Sequence, residues 1–299
     1  MGCVYIGGGV KKAMKKLLFL LLLINSISAS TQTISEIKQD FWSAVKSGNN
    51  SIIVKKGEQL IYYIEKNKLE IDSTIIRIQL FTANGYSNLG NYTRSLELNI
   101  QTLEIIEKIS GKEHTSNATI LNNIALDYSN LGDYNKALEY DLLALKIREK
   151  IYGKESKSYA MSLNNMSLNY SYLGDYNKAL EYNSLALEIY EKVFGKDHPS
   201  YATSLGNLAV NYSHLGDFNK ALEYNLLVLE IREKVFGKKH PSYALSLNNL
   251  AQNYSNLSEH NKAMEYNLLA LEIREKVFGK AHPDYASSLN NLAASYSNL

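Results

Sequence analysis

Along Tyr201 to Leu215 the apolar positions are Tyr201, Leu205, Leu208, Ala209, Tyr212 and Leu215, mostly three or four residues apart. That spacing puts them on one face of an α-helix. Gly216 ends the helix, because glycine tolerates the positive φ of a helix C-terminus, and Asp217 is a candidate N-cap for the next one. A second, longer stripe follows at Phe218, Ala221, Leu222, Leu229, Val235 and Phe236, with apolar residues on two sides of the helix. Such a helix packs both on its own partner and on a following element. The loop Gly237 to Pro241 resets the register, with Pro241 at the first helical turn, where its missing N–H is not needed. The chain's three prolines, Pro199, Pro241 and Pro283, all stand at this position. No segment has the alternation of a strand.

The same unit recurs every 42 residues. Leu-Gly stands at Leu89-Gly90, Leu131-Gly132, Leu173-Gly174 and Leu215-Gly216, and Leu-Ser at Leu257-Ser258, with Leu299 one period further on. A fixed period in this range predicts an array of stacked supersecondary units, which presents an extended surface rather than a catalytic pocket. The expected organisation is a leader at 1–30, a degenerate helix pair at 31–68, a divergent repeat at 69–111 and four regular repeats at 112–282. The first helix of an incomplete repeat occupies 283–299.

The run Tyr-x-x-x-Gly-Asp-Tyr-x-x-Ala at Tyr170 to Ala179, with Ala186 beyond it, resembles a tetratricopeptide repeat. The longer period is similar to the kinesin-light-chain subtype. It carries Ser246 to Ala251 (Ser-Leu-Asn-Asn-Leu-Ala), Ala270 to Lys280 (Ala-Leu-Glu-Ile-Arg-Glu-Lys-Val-Phe-Gly-Lys) and His282 to Ala286 (His-Pro-Asp-Tyr-Ala). The match covers Asn117 to Leu299 and fits Leu69 to Gly111 more loosely, with Ser95 and Thr102 where alanines are expected. The resemblance implies an all-α, right-handed solenoid of antiparallel helix pairs that binds proteins or peptides and catalyses no reaction.

Composition adds an address. Lys11, Lys12, Lys15 and Lys16 precede the apolar run Leu17 to Ile24, and small residues follow at Ser26 to Ser30, the three-part pattern of a secretory signal peptide. Eight apolar residues fall short of the roughly 20 that span a bilayer. Cleavage is expected after Ala29 or Ser30, with Met14 a candidate start and an uncleaved anchor the alternative. Removal of residues 1–30 leaves 28 basic against 30 acidic side chains, a formal charge of −2. That balance gives no pull toward nucleic acid or an anionic membrane. Cys3 lies ahead of the apolar run and leaves with it, so the mature chain has no disulfide chemistry. Sequons inside predicted helices, such as Asn211-Tyr212-Ser213, favour a bacterial envelope, periplasmic or extracellular, as the destination.

Chemistry is sparse. His198, His240 and His282 recur one repeat apart and so sit in successive loops, where a capping role outweighs metal ligation. The Gly-Lys at Gly237-Lys238 lacks the frame of a phosphate loop. Glu230–Lys234 and Glu272–Lys276 read as i,i+4 pairs on an exposed helix face. The sequence points to no cofactor and no metal.

One constellation stands out. Asn123, Asn165, Asn207, Asn249 and Asn291 share one position of the first helix, and Asn122, Asn164, Asn248 and Asn290 precede four of them, with Gly206 the exception. A mid-helix asparagine costs about half a kcal/mol and needs a role. By resemblance to tetratricopeptide grooves, the second Asn of each pair would meet the backbone of an extended peptide. Hydrogen bonding between neighbouring repeats, or simple duplication from one parent, are the alternatives. Tyr172, His214 and Asn256 vary at another groove position and are candidates for specificity. The first helices at 119–131, 159–173, 201–215 and 243–257 contain no Lys or Arg, and Arg77 in the divergent repeat is the exception. The expected partner is therefore a protein segment or extended peptide that is not strongly acidic. Two roles fit: a stand-alone binding scaffold of the envelope, or the sensor arm of a longer effector such as a caspase-like (CHAT) peptidase or signalling protein. Leu289, Leu292, Ala293 and Tyr296 are patterned to pack in both directions, which predicts either a longer array or self-association through that end.

Overall fold

The computed structural model describes residues 34–70 and 72–297, and the expected leader lies outside the described residues. Among the described residues thirteen α-helices follow one another and there is no strand. The chain divides into two compact units between Asn91 and Tyr92.

The first unit contains α1 (Ile34–Ser47), α2 (Asn50–Lys66) and α3 (Ser73–Asn88), each packed on the next. Its core is Phe41, Ile53, Leu60, Ile61 and Ile78. Trp42 meets Phe41 and Phe81 edge-on, at 5.0 and 5.8 Å between ring centroids. At Gly57 a Cβ would stand 1.9 Å from Thr82 Oγ1, so only glycine lets α2 and α3 approach this closely.

The second unit contains α4 (Tyr92–Ser110), α5 (Thr115–Asn130), α6 (Tyr134–Tyr152), α7 (Lys157–Tyr172), α8 (Tyr176–Phe194), α9 (Pro199–His214), α10 (Phe218–Phe236), α11 (Pro241–Asn256), α12 (His260–Phe278) and α13 (Pro283–Ser297). Within this unit each helix packs on the next, as a helical repeat solenoid requires. The predicted face of α9 is buried at Tyr201, Leu205, Leu208 and Ala209, but Leu215 is exposed, as are Leu89, Leu131 and Leu173. These leucines are C-caps just past the last helical residue, where the backbone turns and the side chain leaves the stripe. Ala144, Ala186 and Ala270 are fully buried and let the helix pairs close up. In each repeat a tyrosine of the first helix stacks on one of the second, Tyr128 on Tyr140, Tyr170 on Tyr182, Tyr212 on Tyr224 and Tyr254 on Tyr266, at 5.3 to 5.6 Å.

The loops behave as their residues demand. His114, His198, His240 and His282 are N-caps whose Nδ1 accepts the backbone N–H two residues on, at 3.1 to 3.2 Å, so these rings work as caps. Lys234 does not pair with Glu230 as its spacing suggests; it reaches Asp197 in the preceding inter-repeat loop, as Lys192 reaches Glu155. The carboxylates of those loops lie beside the C-terminal turn of the next repeat's second helix, closer to the ammonium than a side chain one turn back.

One junction is weaker than the rest. Gly132, Gly174 and Gly216 hold φ of 79 to 83°, and Asp133, Asp175 and Asp217 after them each accept the N–H three residues on. At the fifth copy Ser258 carries φ 61° and Glu259 makes no side-chain cap. A serine in the left-handed region is strained, and a missing cap costs about 1 kcal/mol. The double replacement Ser258→Gly with Glu259→Asp should therefore raise stability by about 1–2 kcal/mol. Thermal unfolding of the two proteins checks this, and an unchanged or lower midpoint would refute it.

Candidate functional site

The first helices α7, α9, α11 and α13 of the second unit are neighbours, and each adjacent pair lines a shared cavity on one surface. Its floor is polar. Asp141, Asn183, Asn225 and Asn267 occupy one position on α6, α8, α10 and α12, and all are buried. Each faces the first helix of the next repeat. Asn169 Nδ2 donates to Asp141 Oδ2 at 2.8 Å, and Asn267 Nδ2 donates to Ser295 Oγ at 2.8 Å. Two of them also meet their own first helix, where Asn122 Nδ2 donates to Asp141 Oδ1 and Asn248 Nδ2 to Asn267 Oδ1, at 2.8 and 2.9 Å. Burial pushes the Asp141 carboxyl up to about 7, against the pull of Asn169, Asn122 and the Arg148 charge. On the same second helices Arg148, Arg232 and Arg274 donate to Ser162, Ser246 and Ser288 of the following helix, at 2.6 to 3.0 Å.

Three cavities open along this surface. One of about 500 Å³ between α7 and α9 is lined by Leu168, Tyr172, Asn207, Val210 and His214, among others. The next, about 390 Å³ between α9 and α11, is lined by Val210, His214, Asn225, Asn249, Asn253 and Asn256, among others. The third, about 480 Å³ between α11 and α13, has Leu245, Asn248, Asn249, Asn291 and Arg274 in its walls.

Of the expected groove residues, Asn249 borders two cavities and Asn207 and Asn291 one each, while Asn123 and Asn165 are half-buried on the same stripe. Asn207 also donates to Asn164 of the preceding repeat at 3.1 Å, so inter-repeat bonding is present in the ladder. The first members Asn122 and Asn248 are tied inward to the second helices. Tyr172 stacks on Tyr134 and His214 on Tyr176, at 5.0 and 4.7 Å, which fixes two of the variable side chains at the cavity edge. Asn256 donates to Ser213 Oγ at 3.2 Å and accepts from Gln252 at 3.0 Å. Arg77 belongs to the first unit, where its guanidinium lies 4.9 Å from the centroid of the Trp42 ring.

Two features escaped the sequence reading. Met161, Leu168, Val210 and Leu245 are 38–45% exposed on the first helices, so the surface is part aliphatic. Their signal was present, since each falls outside the buried three-and-four stripe of its helix. Arg274 reaches a cavity from a second helix, a charge that inspection of first helices alone misses. Among the described residues no cluster of His, Cys, Asp or Glu could hold a metal.

No curated protein sequence matches the chain. Among solved structures it is similar to BtubC (BKLC) from P. vanneervenii, with 23% identity, a TM-score of 0.61 and coverage of 83% of this chain and 94% of that one. It is also similar to a putative kinesin light chain with nearly identical TPR-like repeats from Podosopora anserina, with 26% identity, a TM-score of 0.57 and coverage of 68% and 96%. A third likeness, at 18% identity and a TM-score of 0.61, is to a signal transduction ATPase with numerous domains and a tetratricopeptide repeat sensor from Pyrococcus horikoshii; it covers 88% of this chain and 39% of that one. The tetratricopeptide repeat model matches at residues 75–150, 116–192, 158–234 and 212–276, and its overlapping matches run from α3 into α12, which include most of the helices that build the cavities. With that match across more than half its length, the chain belongs to the tetratricopeptide repeat family.

Proposed function

We propose that the surface formed by α7, α9, α11 and α13 is a groove for an extended, weakly charged segment of another protein, and that the chain serves as a binding scaffold exported to the cell envelope. The tetratricopeptide repeat fold is a protein-interaction scaffold, and the row of three cavities between first helices is the observation that carries the finer reading. Helices packed at roughly 8–10 Å put one cavity against about three residues of an extended chain. Amides along the walls match a peptide backbone, exposed aliphatics match apolar side chains, and Arg274 as the one described Lys or Arg that lines the three cavities offers little to a polyacidic ligand.

Val210 stands between two of the cavities and is 45% exposed, so its replacement disturbs no core. For peptides selected on the wild-type chain, Val210→Arg should weaken binding at least tenfold with an unchanged melting temperature. Binding indifferent to this change would overturn the groove. Export is checked by N-terminal mass spectrometry of protein recovered outside the cytoplasm, with cleavage expected after Ala29 or Ser30. A second reading, the sensor arm of a larger effector, is favoured by the likeness to the Pyrococcus ATPase, whose repeat sensor forms part of a longer chain.

A further inference from the structure

The cavity between α9 and α11 differs from its neighbours at the floor. In two other repeats an asparagine of the first helix holds the floor residue: Asn122 donates to Asp141 and Asn248 to Asn267. In the α9–α10 repeat that position is Gly206, and a Cβ added there meets no atom within 4 Å. The floor residue Asn225 thus lacks this donor. Its Oδ1 is buried without a partner, and so is Asn253 Nδ2; the two residues are 4% and 3% exposed and both line the cavity. At the rim, by contrast, Gln252 donates to Asn256 and Asn256 donates to Ser213. Asn248, one repeat after Gly206, lines the next cavity, so the gap at Gly206 belongs to the cavity over Asn225.

Unpaired amide oxygens also line the neighbouring cavities, at Asn211 and Asn248, but of the three cavities this one alone adds a buried donor without a partner, where the equivalent Asn169 donates to Asp141. Asn225 Oδ1 and Asn253 Nδ2 together are complementary to a group that offers one N–H and one carbonyl oxygen side by side. From this juxtaposition we infer that the cavity between α9 and α11 is a specificity pocket for a primary carboxamide, the side chain of Gln or Asn in a bound protein segment. The inference rests on the groove reading above and names one residue class within it. A carboxylate presents only acceptors to Asn225 Oδ1, an ammonium presents no acceptor to Asn253 Nδ2, and an aliphatic side chain leaves both atoms unpaired. Gly206, in mid-helix where glycine is a poor choice, leaves this notch open.

The test is a random decapeptide library displayed on phage and selected in parallel on the full chain and on its Gly206→Asn variant. Asparagine is native at the equivalent positions 164, 248 and 290, so the variant is expected to fold and to melt no lower than wild type. Peptides selected on the wild type should share a Gln or Asn whose replacement by Leu weakens binding about tenfold or more, and on Gly206→Asn that difference should fall below twofold. Selected peptides that are sensitive to Val210→Arg yet carry no shared carboxamide, or keep the preference on Gly206→Asn, overturn the pocket and leave the groove standing. A selection that enriches nothing, or peptides indifferent to Val210→Arg, overturns the groove itself. On the unmodified chain, propionamide should shift the side-chain NH2 resonances of Asn225 and Asn253 in a saturable way while the isosteric butanone does not; equal responses overturn the pocket without reference to any peptide.

Discussion

Between pH 4 and pH 8 the wild-type second unit should lose several kcal/mol of stability relative to its Asp141→Asn variant. Asp141 is fully buried on α6, and desolvation raises its carboxyl from an ordinary 3.8 to about 7. Because the folded state holds this proton more tightly than the unfolded chain, the stability it contributes is fully present below pH 4. It is lost progressively as pH rises from 4 to 7, and the deficit is constant above that. The difference between the folded and unfolded carboxyl corresponds to about 4 kcal/mol. The position is Asn in the repeats that follow, at Asn183, Asn225 and Asn267, so the neutral side chain has a tested place there. Asn122 and Asn169 now donate to the two oxygens of Asp141 and leave their own Oδ1 atoms buried without partners. Either amide can turn over to accept from the amide that the substitution introduces. Denaturant unfolding of both proteins from pH 4 to 8 isolates the effect as a difference, since other carboxylates titrate alike in the two. A wild type whose excess pH dependence over Asp141→Asn stays below about 1 kcal/mol would refute the assignment.

The helices were legible because their signals are local. The three-and-four apolar spacing, the Gly-Asp junction and the proline at the first turn each act within a few residues, and α9, Asp217 and Pro241 stand where those rules put them. Period supplied the rest of the array. What stayed hidden depends on neighbours far along the chain. Asn248 and Asn249 are consecutive, yet one turns inward to Asn267 and the other borders two cavities, and only the packing of α12 and α13 separates those fates. Lys234 likewise chose Asp197 over Glu230 for reasons of tertiary proximity. The polar floor was visible as a recurrent Asn or Asp after Glu-Tyr in the second helices of the regular repeats, but without the helix pairing nothing said that this row is buried. Gly206 was conspicuous as an exception in the ladder; its consequence, an unpartnered Asn225 oxygen, requires the structure.

Replacing Leu205 by Ala should cost about 3 kcal/mol and damage two cavities at once. Leu205 is 1% exposed in a single core cluster that runs from Leu145 on α6 through Leu163 and Met166 on α7, Ala186 and Tyr190 on α8, to Val228 and Ile231 on α10. It therefore ties three repeats together rather than filling one. In a solenoid each repeat is held only by its neighbours, so a void at such a junction weakens both interfaces of α9 and lowers the cooperativity of the array. The helix α9 is the shared wall of the cavities over Tyr172 and over Asn225, and loosening it blurs the spacing on which an extended ligand depends. Hydrogen exchange should show the greatest loss of protection in α8 to α10, with α4 little changed. Leu205→Met, which conserves volume, should cost under about 1.5 kcal/mol and keep peptide binding, so a loss of binding in Leu205→Ala alone identifies packing as the cause. If Leu205→Ala unfolds within about 1 kcal/mol of wild type, the core does not couple the repeats in this way.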